Sequence, residues 1–123
     1  MNNKYHGIIL DIEFEDSTYP NKFKIFAKRR SSSNPWMLYG VEIKENELEK
    51  TISSIQKNMK VDKPYYAHLY NDLELIVIFK QKVFKVTPHK SSWDSILKYA
   101  IELGIPDEQM DIWPNRFQDE IHY

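Results

Sequence analysis

Residues 73–80 constrain the fold most, because the centre of this predicted strand is apolar on both faces. Side chains alternate along a strand, so its large apolar residues divide into two sets, namely Leu75, Val77 and Phe79 on one face and Ile76 and Ile78 on the other. If either face met water, the burial of two or three large side chains would be lost. The segment therefore predicts a strand inside a sheet that is covered on both sides.

Alternating segments at 65–70 and 83–87 flank this strand and predict an antiparallel meander. A tight turn at Gln81-Lys82 would place Val77 opposite Val86.

Two segments have helical periodicity. In residues 45–59 the apolar positions recur every three or four residues, at Leu48, Ile52, Ile55 and Met59. The second helix, 92–103, has an apolar face made by Trp93, Ile96, Leu97 and Ala100. Gly104 and Pro106 follow it and are typical of a helix end.

The N-terminal segments 7–14 and 22–30 both alternate, and the residues between them are turn formers. They predict an antiparallel hairpin. One register matches apolar with apolar and acid with base, pairing Phe14 with Phe23, Ile12 with Ile25, Leu10 with Ala27, Glu13 with Lys24 and Glu15 with Lys22.

A further strand at 36–43 completes the order β-β-β-α-β-β-β-α. We expect one α+β domain over 1–123, with a largely antiparallel sheet, two helices packed on it, and 106–123 as a C-terminal tail docked on the domain. The repeated order also suggests an internal repeat, although the residues of the two halves are not similar.

Composition excludes several functions. The 123-residue chain has no cysteine and a formal net charge of −1, so neither disulfides nor a global nucleic-acid signature is expected. With three glycines it has no phosphate-cradling loop, and no histidine pair has metal-ligand spacing. The N-terminal residues lack the apolar run of a signal peptide, and no segment is apolar for a membrane's width. We expect a cytoplasmic protein with no cofactor and no metal.

Nucleic-acid binding remains one hypothesis. Alternation would place Phe26 on one face with a row of cations, which is typical of RNA and single-stranded DNA platforms. In the predicted hairpin Glu13 and Glu15 would neutralise part of this face. The candidate contacts that remain, including Lys82 of the predicted turn and Lys85 of the strand after it, are Lys28, Arg29, Arg30, Lys82 and Lys85.

Two enzymatic hypotheses are also open. His68 alternates with Tyr66 and Tyr70, so an imidazole among tyrosines predicts either a small enzyme pocket or a satisfied core histidine. The tripeptide Glu42-Ile-Lys44 resembles the Glu-x-Lys of metal-dependent nucleases, which would need Asp11 or Asp16 as a second ligand. No other catalytic motif occurs, so we expect no catalytic residues.

The C-terminal tail is rich in aromatic residues. Trp113, Phe117, Ile121 and Tyr123 are too apolar for a solvated segment, so they either dock on the domain or contact a partner. Together with the missing catalytic signatures, this favours a small accessory or regulatory protein that acts through protein contacts. Trp113, Phe117 and Tyr123 are its candidate partner-binding residues, and either a protein partner or self-association would use them.

Truncation after Pro106 separates the two roles of the tail. A docked tail contributes burial of about 1.5–3 kcal/mol for each large apolar side chain, so its removal should lower the melting temperature. A binding tail should leave the melting temperature unchanged and abolish association, measured by size-exclusion chromatography with light scattering. If neither quantity changes, both roles are contradicted.

Overall fold

The computed structural model describes residues 4–30, 36–105, 110 and 112. They form six strands and two α-helices, in the order β1 (Lys4–Leu10), β2 (Lys24–Arg30), β3 (Met37–Lys44), α1 (Leu48–Asn58), β4 (Tyr66–Tyr70), β5 (Leu75–Phe79), β6 (Val83–Val86) and α2 (Asp94–Glu102). All strand pairs are antiparallel, and the sheet order is β2-β3-β1-β4-β5-β6. The predicted α+β class and element order are confirmed.

Each face of the sheet carries one helix and one hydrophobic cluster. On the first face, α1 packs its predicted stripe against alternate residues of β1, β3, β4 and β5, including Ile9, Val41, Leu69, Ile76 and Ile78. On the opposite face, α2 and Trp93 pack against Ile8, Tyr70, Leu75, Val77 and Phe79. All five residues of β5 are buried, which confirms the two-sided strand predicted from 73–80.

The turn between β5 and β6 lies one residue earlier than predicted. Phe79 and Lys82 exchange backbone hydrogen bonds of 2.8 and 3.4 Å, so Lys80-Gln81 forms the turn and Val77 lies opposite Phe84 rather than Val86. In this position Lys80 Nζ donates to the Gln56 carbonyl at 2.7 Å. The lysine thereby satisfies a carbonyl in the last turn of α1, where the helix itself supplies no partner.

The predicted N-terminal hairpin is wrong. β1 lies in the middle of the sheet and pairs with β3 and β4, while β2 pairs with β3. Strand β1 ends at Leu10, and Asp11–Glu13 form a 3-10 turn instead of continuing the strand to Phe14. The longer ladder between β1 and β3 leaves β2 on the outer side of β3. Lys24 therefore lies opposite Glu42 of β3 and not opposite Glu13.

Glu13 is a buried carboxyl and not a solvated partner of Lys24. Its side chain is 4% exposed, and its Oε1 accepts the backbone N–H of Leu10 at 3.0 Å. The segment then joins the end of α1, since Phe14 bridges to Met59 and the Glu13 carbonyl accepts the N–H of Lys60 at 2.8 Å. Burial raises the pKa of the Glu13 carboxyl well above its ordinary range.

The two halves of the chain connect their strands differently. The second half is a simple meander, whereas the first half places β1 beyond β3. The similar element order is therefore not accompanied by a repeated topology.

Two residues of the C-terminal segment can be placed. Met110 and Ile112 are buried in the cluster under α2, beyond the helix end at Glu102 and the turn at Gly104, which has a φ of +86°. The remaining residues of the predicted tail, among them Trp113, Phe117, Ile121 and Tyr123, lie outside the described residues. In the described part of the chain, neither helix has the length and apolar character of a membrane span.

The buried carboxyl makes stability depend on pH. Folded protein holds the Glu13 proton at pH values where the unfolded chain, with an ordinary pKa of about 4.3, releases it. This contribution is full below about pH 4 and is lost as the pH rises through the raised folded pKa, by about 1.4 kcal/mol per pH unit. Glu13→Gln keeps an acceptor for Leu10 and cannot ionise, so its stability should lack this decline and match or exceed wild type at neutral pH.

Urea denaturation from about pH 4 to pH 9 measures the difference between variant and wild type. Glu15→Gln is the matched control, since Glu15 is exposed two residues away. Parallel curves for Glu13→Gln and wild type would contradict the burial of a neutral carboxyl.

Candidate functional site

Strand β2 is a basic strand at the edge of the sheet. Among the described residues it pairs only with β3, and six of its seven residues are exposed. Five cations lie on or just before it, and no acid does, the cations being Lys22, Lys24, Lys28, Arg29 and Arg30. Ile25 and Phe26 are 37% and 38% exposed. The edge therefore combines a long strand, positive charge and some apolar surface.

A β-bulge divides these cations between the two faces of the sheet. Ile25 lies opposite Val41 and Ala27 opposite Gly40, so Phe26 is the extra residue. The α2 face then carries Lys24 and Arg29, whereas Lys28 and Arg30 lie on the α1 face, opposite Tyr39 and Met37. The predicted single face of cations beside Phe26 is wrong, because the bulge shifts the alternation by one residue.

Glu42 is the acid that neutralises the start of this edge. Its carboxylate contacts Lys24 Nζ at 2.9 Å, Lys4 Nζ at 3.2 Å and His6 Nε2 at 3.3 Å. The hydrogen bonds from Lys24, Lys4 and His6 lower the pKa of Glu42 to about 2. The sequence alone does not indicate this role of Glu42, because it depends on the cross-strand position opposite Lys24.

The aromatic ring of the edge is already packed. The Phe26 ring stacks on the His6 ring with centroids 4.2 Å apart. Gly40 makes room for it, since a Cβ at that position would lie 2.9 Å from Phe26 Cζ. Phe26 therefore belongs partly to the layer over β3 and β1.

The other predicted basic residues lie at the opposite edge of the sheet. Lys82 and Lys85 belong to the β5–β6 region, which is five strand spacings from β2, or about 24 Å. Lys85 Nζ contacts Glu49 at 2.6 Å, and Lys82 Nζ lies over the rings of Phe84 and Tyr99 at 5.3 and 5.7 Å. The structure does not bring the two predicted basic groups together.

The histidine and tyrosines of β4 are part of the packed layer under α2. His68 is 3% exposed and stacks on the buried Tyr70 with centroids 5.8 Å apart, and Tyr66 packs against Phe79 at 6.0 Å. The three residues share one face of β4, as the alternation predicted.

Asp11, one of the two second ligands proposed for the nuclease-like arrangement, does not accompany Glu42, and Asp16 Oδ1 accepts hydrogen bonds from the N–H and the hydroxyl of Thr18 at 2.9 and 2.7 Å. Asp11 follows the end of β1 opposite Leu38, four residues along β3 from Glu42, or about 13 Å away. Its Oδ1 instead accepts the backbone N–H of Met37 at 3.1 Å. Within residues 4–30 and 36–105, together with 110 and 112, no three metal-ligating side chains form a group that would hold an ion.

No protein-family model, curated protein or solved structure matches the chain.

Proposed function

We propose that the protein is a non-enzymatic accessory protein of the cytoplasm that acts through protein contacts, and that β2 pairs with an extended acidic segment of its partner. The observation that carries this proposal is an edge strand of seven residues that pairs on one side only among the described residues and is rich in cations without an acid of its own. An added strand would bond to the outer backbone groups of β2 and place acidic side chains beside its cations.

The charge of β2 selects the kind of strand that can be added. Lysines and a bulge on an edge strand discourage pairing with another copy of the same strand. Two copies of β2 would bring their cations together, which is unfavourable. An acidic strand reverses the sign of that interaction, because its carboxylates attract the cations of β2. Arg29 and Arg30 enter no ion pair among the described residues, so they can pair with such a strand. The same features that oppose self-association thus favour an acidic partner.

RNA or single-stranded DNA binding is the alternative that uses the same cations. A single strand needs a continuous basic track with open aromatic rings for stacking. Here the cations of β2 lie on two faces, Lys82 and Lys85 lie at the other edge, and the Phe26 ring is stacked on His6. The third alternative, a small enzyme with a pocket near Tyr66, His68 and Tyr70, would use a histidine that is packed into the layer under α2.

Three fluorescent probes test the proposal by anisotropy at low salt. The first is a peptide of alternating valine and glutamate, the second is the same peptide with alternate backbone nitrogens methylated, and the third is oligodeoxythymidine of equal charge. Wild type should bind the first peptide most tightly. N-methylation should abolish binding, because it removes main-chain donors while keeping every charge.

The double substitution Arg29→Gln/Arg30→Gln should weaken peptide binding by roughly two- to thirtyfold, the effect of two exposed charges. Lys90→Gln/Lys98→Gln removes the same charge near α2 and should leave binding unchanged. Tighter binding of the oligonucleotide, or an equal loss in both double variants, would overturn the proposal.

A further inference from the structure

A cavity of about 310 Å³ opens beside the start of β2, where the end of β3 meets the first turns of α1. This size is at the lower end of small-molecule sites. The cavity is distinct from the outer edge of β2, although Lys24 and Glu42 contribute to its rim. Its chemistry is set by the side chains that line it.

Four lysines and two glutamates line the cavity, the lysines being Lys22, Lys24, Lys44 and Lys50 and the glutamates Glu42 and Glu47. Glu42 is already bonded to Lys24, and also to Lys4 outside the cavity. Lys44 and Lys50 enter no ion pair among the described residues and are exposed. The rim therefore carries excess positive charge, held at one place by β3 and α1.

One part of the cavity lining is closely packed and carries hydroxyl groups. Tyr19 is buried, and its ring packs against Phe14 at 4.6 Å and Phe23 at 5.4 Å. Its hydroxyl hydrogen-bonds to Ser54 Oγ at 2.5 Å. Thr51 lies one helical turn before Ser54 on the same wall. The lining therefore offers both hydroxyl and ammonium groups as donors.

We propose that this cavity binds a small phosphate-bearing ligand, such as a sugar phosphate. A phosphate has two negative charges and several acceptor oxygens, which match lysine ammonium groups and hydroxyl donors. The space beyond the phosphate, walled by the Tyr19 and Phe23 rings, accommodates the small body that carries it. A neutral sugar would leave the rim charges unmatched, so affinity must depend on the phosphate.

Glucose 6-phosphate is the probe, with glucose and inorganic phosphate as matched comparisons at constant ionic strength. Amide chemical-shift titration should move the resonances of Thr51, Ser54 and Lys44, and glucose should move none of them. Weaker binding of inorganic phosphate alone would show that the sugar body contributes. Rising salt should weaken binding, because the lysines on the rim are solvent-exposed.

Lys44→Gln/Lys50→Gln should weaken glucose 6-phosphate binding at least tenfold, while Lys90→Gln/Lys98→Gln should bind as wild type. An unchanged melting temperature for the first pair shows that the fold is intact. The proposal is overturned if no resonance moves at roughly 10 mM ligand, where a millimolar site would be mostly occupied, or if both variants bind equally. Arg29→Gln/Arg30→Gln should bind the sugar phosphate normally, so this site and the β2 edge can fail independently.

Discussion

The pairing of β1 with β4 holds the two halves of the sheet together. It consists of three residue pairs, His6 to Ile8 against His68 to Tyr70. Its centre is Gly7, where a Cβ would lie 2.4 Å from Leu69 Cδ2 and 3.1 Å from the His68 carbonyl oxygen. Only glycine permits this approach without displacing a fully buried leucine.

The neighbouring side chains strengthen the same junction. Tyr5 Oη donates to Glu74 Oε1 at 2.8 Å, which links β1 to the loop between β4 and β5. Burial, together with this hydrogen bond, raises the pKa of Tyr5 to about 12. That loop is shaped by Asn71, whose Oδ1 accepts the N–H groups of Leu73 and Glu74 at 2.9 and 2.8 Å. The short ladder is thus supported by side-chain hydrogen bonds at the end where His6 pairs with Tyr70.

The central position of β1 determines what the first half of the chain exposes. Because β3 is bonded to β1 on one side, β2 can pair only with the other side and becomes the sheet edge. Within the part of the chain that the structure describes, the cations of β2 therefore pair with one acid, Glu42, instead of the two acids that a hairpin with β1 would have supplied. Both the basic edge and the lysine-rich cavity beside it follow from this strand order.

The sequence predicted the elements that depend on local periodicity. The buried residues of α1, α2 and β5 all lie within one short segment each, so the spacing of apolar residues in that segment is enough to predict the element. The strand that pairs with β2 could not be identified from periodicity, because periodicity does not show which strands are neighbours in the sheet. Lys24 finds an opposite charge in either Glu13 or Glu42, so charge matching could not choose between the hairpin and the pairing with β3.

Two signals in the sequence pointed to the correct arrangement. A glycine within the alternating segment 7–14 indicates a close backbone approach, which a central strand has and a hairpin edge does not require. Gly40 indicates the same for β3, where the Phe26 ring crosses it. The bulge in β2 had no such signal, because Ile25, Phe26 and Ala27 continue an ordinary alternation. The bulge therefore decides on which face each cation of β2 lies, and the sequence does not predict it.

Native-state amide hydrogen exchange tests the strand order most directly. If β1 joins both halves into one cooperative sheet, the amides of β1 that are bonded to β3 and those bonded to β4 should all exchange only through global unfolding, with the same free energy as those of β5. Amides of β2 that face outward should exchange much faster. Fast exchange in β1 beside slow exchange in β5, or uniformly slow exchange in β2, would contradict a central β1 and an open β2 edge.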